Sequence, residues 1–305
     1  MAPRRLSAIG EFGVIERVTR GLRYDATVHV GVGDDAAVLC GGKGWRLLVT
    51  TDMLVDGVHF DARRADPSLI GRKALAVSLS DIAAMGGIPW AAVVAAGIPR
   101  AYPVRHMDAL YRGLRRLAAR YQVQIVGGDT VRAERLTLTV TLLGWVEPRR
   151  AVLRRGARPG DVIYVTGRLG GSLRSGRHLT FEPRVQLARA LLARIRPTAM
   201  MDLSDGLASD LRQLAKASRV GCRIRAAQIP TARGVRTVDA ALQDGEDFEL
   251  LFTVARAQAR RLQRQHLLGV PITCIGDITP ARRGLVLVDE RGRERALPPP
   301  RFRHF

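Results

Sequence analysis

The chain is poor in several features that would have fixed its class at once. Its three cysteines, Cys40, Cys222 and Cys274, are odd in number and far apart, and they form no CxxC pair. That argues against a disulfide or zinc framework and for free thiols in a reducing compartment. Six histidines (His29, His59, His106, His178, His266 and His304) show no HxxxH spacing, so no zinc site is expected. Aromatic residues make up only 5% of the chain, too few to interleave with basic side chains as stacking nucleic-acid binders require. The longest apolar run, 88–98, carries Pro89 and stops at Pro99; it is too short to span a bilayer. The opening MAPRRLSAIGEFG holds no apolar core of signal-peptide length. A cytoplasmic protein without a membrane segment is the expectation.

Lysine is scarce as well. Of 49 basic residues only Lys43, Lys73 and Lys216 are lysines, and the formal charge is +21. The arginines run from Arg4 to Arg303 without clustering, the skew of a GC-rich coding sequence at solvated positions. A positive field that draws in small anionic substrates fits this better than specific nucleic-acid binding. At 305 residues, 47% hydrophobic and 25% charged, the chain has room for two globular domains.

What the chain does have is a recurrence of acidic turns. GVGDDAAV (31–38) sets Asp34 and Asp35 beside turn glycines and an apolar run. Further acids stand at Thr50-Thr51-Asp52, Asp81, Gly127-Gly128-Asp129 and Asp202-Leu203-Ser204-Asp205. A buried carboxylate costs several kcal/mol, roughly, unless it is paired or holds a cation. Taken singly, each acid would serve as an N-cap or turn residue. Together they suit Mg²⁺, which takes hard oxygen ligands and bridges carboxylates to substrate phosphates. Asp81 falls in the last turn of a helix that opens at Asp66-Pro67 and closes at Gly86-Gly87. An acid there opposes the helix dipole unless a cation compensates.

The patterning predicts helices at 11–22, 104–121 and 181–195, and another ending near Gly221. Strands are expected near 26–30, 46–51, 91–97, 123–126, 135–146, 162–166, 222–226, 249–254, 272–276 and 284–289. Charged, proline-containing Glu147-Pro148-Arg149-Arg150 is the expected boundary, dividing 1–147 from 148–305. Helix and strand mix in each half, so the fold class is α/β (α+β). The acid-free loop 167–176 suits an anion or a flexible surface segment equally. GVGDDA approaches the GxGxxG/A dinucleotide fingerprint, but two aspartates would repel pyrophosphate and no helix follows. GxxxxGK[ST] and the protein-kinase motifs are missing.

Read together, GVGDDAAV, TTDMLVDGVHF (50–60), KALAVSLSDIAAMGGIP (73–89), GGDT (127–130), MDLSDGL (201–207) and GEDFEL (245–250) resemble the thiamine-monophosphate kinase family. The likeness runs from Gly10-Glu11-Phe12 to Phe302. The GDDAA-like turn alone is shared with aminoimidazole ribonucleotide synthetase, selenophosphate synthetase and a hydrogenase-maturation protein; TTDMLVDGVHF and MDLSDGL favour the thiamine enzyme. The resemblance implies a two-domain aminoimidazole ribonucleotide synthetase-like fold. It also implies a homodimer paired through N-terminal sheets, ATP as co-substrate, and several Mg²⁺ ions between ATP and thiamine monophosphate. It assigns metal contact to Asp35, Thr50, Thr51, Asp52, Asp81, Asp129, Asp202 and Asp205. ATP contact falls to Tyr111, Gly128, Asp129, Arg154 and Ser204, and substrate contact to His59, Glu246 and Phe302. Asp34 is expected to support Asp35. Ser78 stands where the family commonly has Asn, and Arg301-Phe302-Arg303 is more basic than usual. The expected reaction is transfer of the γ-phosphoryl group of ATP to thiamine monophosphate, with no general base. A related ATP-dependent synthetase, a non-catalytic thiamine-phosphate binder and a nucleic-acid-binding protein remain the alternatives.

Overall fold

A computed structural model describes residues 10–262 and 266–299. Phe302, one of the expected substrate contacts, lies outside them. The first half comprises α1 (Gly10–Thr19), β1 (Val28–Val30), β2 (Ala37–Cys40), β3 (Arg46–Val55), α2 (Pro67–Ala84), β4 (Ile88–Ile98), α3 (Val104–Arg120), β5 (Gln124–Arg132) and β6 (Thr137–Val146). The second half opens with β7 (Val162–Thr166), α4 (Ser172–Ser175), α5 (Arg177–Thr180), α6 (Val185–Leu192), β8 (Ala199–Asp202) and α7 (Leu207–Ser218). It continues through β9 (Val220–Arg225), α8 (Val238–Gln243), β10 (Leu250–Val254), α9 (Arg256–Ala259), β11 (His266–Leu267), β12 (Val270–Pro280), β13 (Leu285–Val288) and β14 (Glu294–Ala296).

The first sheet runs β1-β2-β3-β6-β4-β5 and is antiparallel except for the β4–β5 pair. That pair is joined by α3, as a parallel connection requires. The second sheet runs β14-β13-β9-β12-β7-β10-β8, with β11 on β12. Its central strands β7 and β10 are buried on both faces. Val162 and Tyr164 face the core shared with the first half, and Ile163 and Val165 face a second core under α7.

Helix α2 is the element both halves pack on. Asp66 caps it through Ser68 N at 2.7 Å, and Pro67 follows at the first helical position. It is buried nearly all round, so it shows no amphipathic stripe. Gly71 and Gly113 let α2 and α3 touch backbone to backbone. A Cβ at Gly71 would sit 1.9 Å from Leu110 O, and one at Gly113 1.8 Å from Ser68 O.

Several elements differ from the sequence reading. β2 and β8 are strands that the pattern missed, because each is four residues leading into or out of a polar turn. The expected turn at Gly127-Gly128-Asp129 is the middle of β5. The helix expected over 181–195 spans only Val185–Leu192, because Pro183 has no N–H and holds residue 182 out of the helical region. In loop 167–176, two of the N–H groups an anion would need are taken: Gly170 N and Gly171 N donate to Asp247 and Asp244 at 2.8 and 3.0 Å.

Glu147, at the end of β6, clamps the halves together. Arg189 of α6 binds it through two nitrogens at 2.8 and 2.5 Å and also donates to Gly86 O at 2.9 Å. The Arg189 hydrogen bonds hold the Glu147 carboxyl down at about 2, from 4.5. A depressed carboxyl stabilises the fold above its unfolded value and loses that contribution as pH falls through the folded one. Glu147→Gln should therefore cost about 1–2 kcal/mol at pH 7. The difference from wild type should vanish between pH 4.5 and about 2 in chemical-denaturation curves.

Candidate active site

Strand alternation, one helix and one strand end build a cluster of carboxylates. Thr50 and Asp52 are two apart on β3 and face α2, whereas Thr51 points outward and shares a 3.0 Å hydrogen bond with Thr141. From α2, Ser78 donates to Asp52 at 2.7 Å, Ser80 donates to Asp202 at 2.6 Å, and Asp81 accepts from the Thr50 hydroxyl. Asp202 ends β8 and is buried. Asp35 arrives on the loop between β1 and β2. Its Oδ1 takes Arg154 Nε at 3.1 Å and Nη2 at 2.6 Å, and the neighbouring Asp34 takes Arg154 N at 2.7 Å. Carboxylate oxygens of Asp35, Asp81 and Asp202 all lie within 4.8 Å of one another.

This arrangement is electrostatically unfavourable by itself. Burial raises the Asp35, Asp52 and Asp81 carboxyls, and for Asp81 the Asp52, Asp202 and Asp35 charges push it well up. Burial, with Asp35 adding to it, takes Asp202 to about 8, and burial takes Asp34 to about 6. Asp210, buried behind the cluster and accepting from Asp205 N at 3.2 Å, is also driven well up by burial and by Asp205. One oxygen, Asp35 Oδ2, is buried and has no hydrogen-bond partner among the described residues. A hard divalent cation fits this donor set: clustered oxygens, excess negative charge, and an oxygen left for a ligand. No basic residue stands in the last turn of α2 to offset Asp81.

The other expected residues are distributed around this centre. Ser204 and Asp205 lie between β8 and α7, two and three residues past Asp202. Gly128 and Asp129 lie on β5, with Asp129 exposed and capping Thr130 N at 2.8 Å. A Cβ at Gly128 would fall 1.9 Å from Val94 O on the neighbouring strand, so the position admits only glycine. Tyr111 packs against the first core from α3. The side chains of Thr51, Asp129 and Tyr111 are thus not in the carboxylate cluster; for Thr51 the two-residue period of β3 forbids it.

His59 lies on the turn after β3, its Nδ1 accepting from Val55 N at 3.0 Å. It lines a cavity of about 630 Å³ together with Asp56, Phe60, Arg135 and His178. Glu246 sits behind His178 and adopts φ +64°, while Phe248 adopts φ +50°, both left-handed and unusual for side chains of this size. The strained loop is tied down: Glu246 N donates to Ser204 O at 2.6 Å, Ser172 Oγ donates to Glu246 O at 2.7 Å, and Phe248 stacks on Phe181 at 4.2 Å. Each acid of GEDFEL has its own basic partner, Glu246 with Lys73, Asp247 with Arg177 and Glu249 with Arg184. Sequence reasoning missed Lys73, His178, Ser80 and Asp210. A lone lysine inside the apolar KALAVSLS run was the available signal.

The family model for AIR synthase related protein, N-terminal domain, matches residues 33–146, and that for the C-terminal domain matches 158–289. The thiamine-monophosphate kinase of Bacillus subtilis is 35% identical, covering 97% of this chain and 99% of its own length. The chain belongs to the thiamine-monophosphate kinase family. The Escherichia coli K12 thiamine-monophosphate kinase is 38% identical over 92% of this chain and 94% of its own. Among solved structures, AaThiL complexed with AMPPCP and TMP superposes with a TM-score of 0.86 at 29% identity, covering both chains fully.

The raised carboxyls set a pH dependence. A folded value above the unfolded one, as for Asp202 at about 8 against 3.8, means the folded state binds more protons between them. Stability of the metal-free protein should therefore fall as pH rises through that window. Thermal melts should show a lower Tm at pH 8 than at pH 6, and millimolar Mg²⁺ should raise Tm more at pH 8. In Asp202→Asn the pH 8 loss and the Mg²⁺ response should both shrink.

Proposed function

We infer that this protein transfers the γ-phosphoryl group of ATP directly to thiamine monophosphate, giving thiamine diphosphate and ADP. The observation that carries the reading is the buried carboxylate cluster set between the two halves, with one Asp35 oxygen that has no partner among the described residues. Membership of a family whose named members are thiamine-monophosphate kinases supports the substrate. A relative solved with the ATP analogue AMPPCP and with TMP supports the pairing of the two.

Asp35, Asp52, Asp81 and Asp202, with Thr50, are assigned to hold Mg²⁺, and Asp205 a further ion nearer the second half. When bound, Mg²⁺ neutralises the two polyanions and favours an in-line geometry. The chain's residues supply the rest. Ser78, Ser80 and Thr50 each donate to one oxygen of a carboxylate and so fix which oxygen stays available. Arg154 holds Asp35 and, through its main-chain N–H, Asp34; it is assigned to the ATP phosphates with Ser204. Gly128, Asp129 and Tyr111 are assigned to the nucleotide side, and Thr51 and Asp129 to metal contact outside the buried cluster. His59, Glu246 and Phe302 are assigned to the acceptor. A phosphate monoester is already anionic near neutral pH, so no residue has to remove a proton; the carboxylates serve as ligands.

The outer face of the first sheet supports a homodimer. Among the described residues it exposes Met53, Trp90, Val93, Val126 and Val131, an apolar face of the kind that marks an interface. The division into domains at 147/148 and a cytoplasmic location are part of the same reading. The free cysteines and ATP use suit the location, and no helix among the described residues is long and apolar enough to cross a membrane.

Incubation with ATP, Mg²⁺ and thiamine monophosphate should yield thiamine diphosphate without a phosphoenzyme on rapid quench. Asp81→Asn should lower kcat by more than about 100-fold and Ser80→Ala by about tenfold. A phosphorylated protein would contradict direct transfer. For the dimer, Val93→Glu/Val126→Glu should sediment at half the mass of the wild type; a monomeric wild type at micromolar concentration would contradict the pairing.

A further inference from the structure

Lys73 is the one lysine of α2 and is completely buried. Burying an ammonium is costly, roughly several kcal/mol, unless every proton finds an acceptor. Lys73 Nζ donates to His59 O at 2.7 Å and Glu246 Oε2 at 2.5 Å, and stands 3.1 Å from His178 Nδ1, which accepts from Lys73 in one tautomer and donates to Glu246 Oε2, 3.2 Å away, in the other. These belong to the turn after β3, to α5, and to the strained loop before β10. Burial pulls the Lys73 ammonium down, and burial would raise Glu246, but the His178 N–H and the Lys73 ammonium beside it outweigh that and hold Glu246 below the ordinary carboxylate value. With its Nδ1 within reach of both Lys73 and Glu246, the His178 ring is fixed in the wall of the cavity that His59 also lines.

We propose that Lys73 is a positioning residue for the acceptor: it ties the His59 main chain, His178 and Glu246 together from both halves of the chain and so shapes the wall that receives thiamine monophosphate. This rests on the acceptor reading given under Proposed function. The placement on α2 gives the tie a second consequence. Seven residues, about two turns and roughly 10 Å of helix, separate Lys73 from Ser80, which orients Asp202 in the carboxylate cluster. A single rigid helix therefore sets the distance from acceptor wall to phosphoryl-transfer centre. The proposal adds His178 to the acceptor wall alongside His59 and Glu246, and it makes the alignment of that wall depend on a residue that does not touch the substrate.

The test is a steady-state and calorimetric comparison of Lys73→Met, Glu246→Gln and the double variant. Lys73→Met should raise KM for thiamine monophosphate at least about tenfold while KM for ATP stays within about twofold. In the Glu246→Gln background the same change should add less than about twofold, because the two residues act as one unit. Should Lys73→Met alone fail to fold for want of a partner to the carboxylate, the double variant removes both charges, and its comparison with Glu246→Gln carries the test. Equal losses for ATP and thiamine monophosphate, or multiplying losses in the double variant, would overturn the proposal and leave Lys73 a packing residue. A wild type that binds thiamine monophosphate without making thiamine diphosphate would sink the transfer reading alone. In that event Lys73→Met must still weaken thiamine monophosphate at least about tenfold by calorimetry, or the proposal falls too.

Discussion

The structure depends on the mutual repulsion of carboxylates drawn together under Arg154. Asp35, Asp81 and Asp202 come from a loop, a helix and a strand end that are far apart in the chain, and they meet within 4.8 Å. Hydroxyls and one guanidinium satisfy part of their oxygens, yet Asp35 Oδ2 is buried with no partner among the described residues. Such a site is tolerated in a fold only if a ligand bound in function offsets its cost. Its members are also held on rigid elements: β3 and α2 carry Thr50, Asp52, Ser78, Ser80 and Asp81, so the oxygens are preorganised rather than gathered at the moment of binding.

Helix α2 carries that preorganisation across the molecule. Its burial on all sides explains why small residues dominate it, with Ala74, Ala76, Ala83 and Ala84 fully packed, and why Gly71 meets Gly113's helix so closely. Polar residues inside such an element are costly unless paired. Lys73, Ser78, Ser80 and Asp81 all have partners in the acceptor wall or the carboxylate cluster, Ser78 reaching the Val140 carbonyl at 3.3 Å as well. The strained Glu246 and Phe248 backbones follow the same logic on the opposite side.

Much of this was legible in the chain. Asp66-Pro67 and Gly86-Gly87 bracket α2 because capping chemistry is local. The alternation from Leu136 to Leu142 marks β6 because one face of it is buried. The acids Asp35, Asp52, Asp81 and Asp202 stood out because charge beside apolar runs is locally visible. The remainder depended on tertiary contact. Thr51 reads like Thr50 and Asp52 until the pleat of β3 turns it outward. Gly127-Gly128-Asp129 has turn composition but lies in β5, held by parallel pairing to β4. Lys73 and His178 are 105 residues apart and acquire meaning only from their 3.1 Å contact.

The central claim is that the carboxylate cluster binds divalent cations in the presence of both substrates. The most direct measurement is anomalous diffraction from crystals grown with Mn²⁺, a non-hydrolysable ATP analogue and thiamine monophosphate. The account predicts anomalous peaks within bonding distance of Asp35, Asp81 and Asp202, with the acceptor phosphate on the same side. Fully occupied nucleotide and acceptor with no peak at these three aspartates would contradict it.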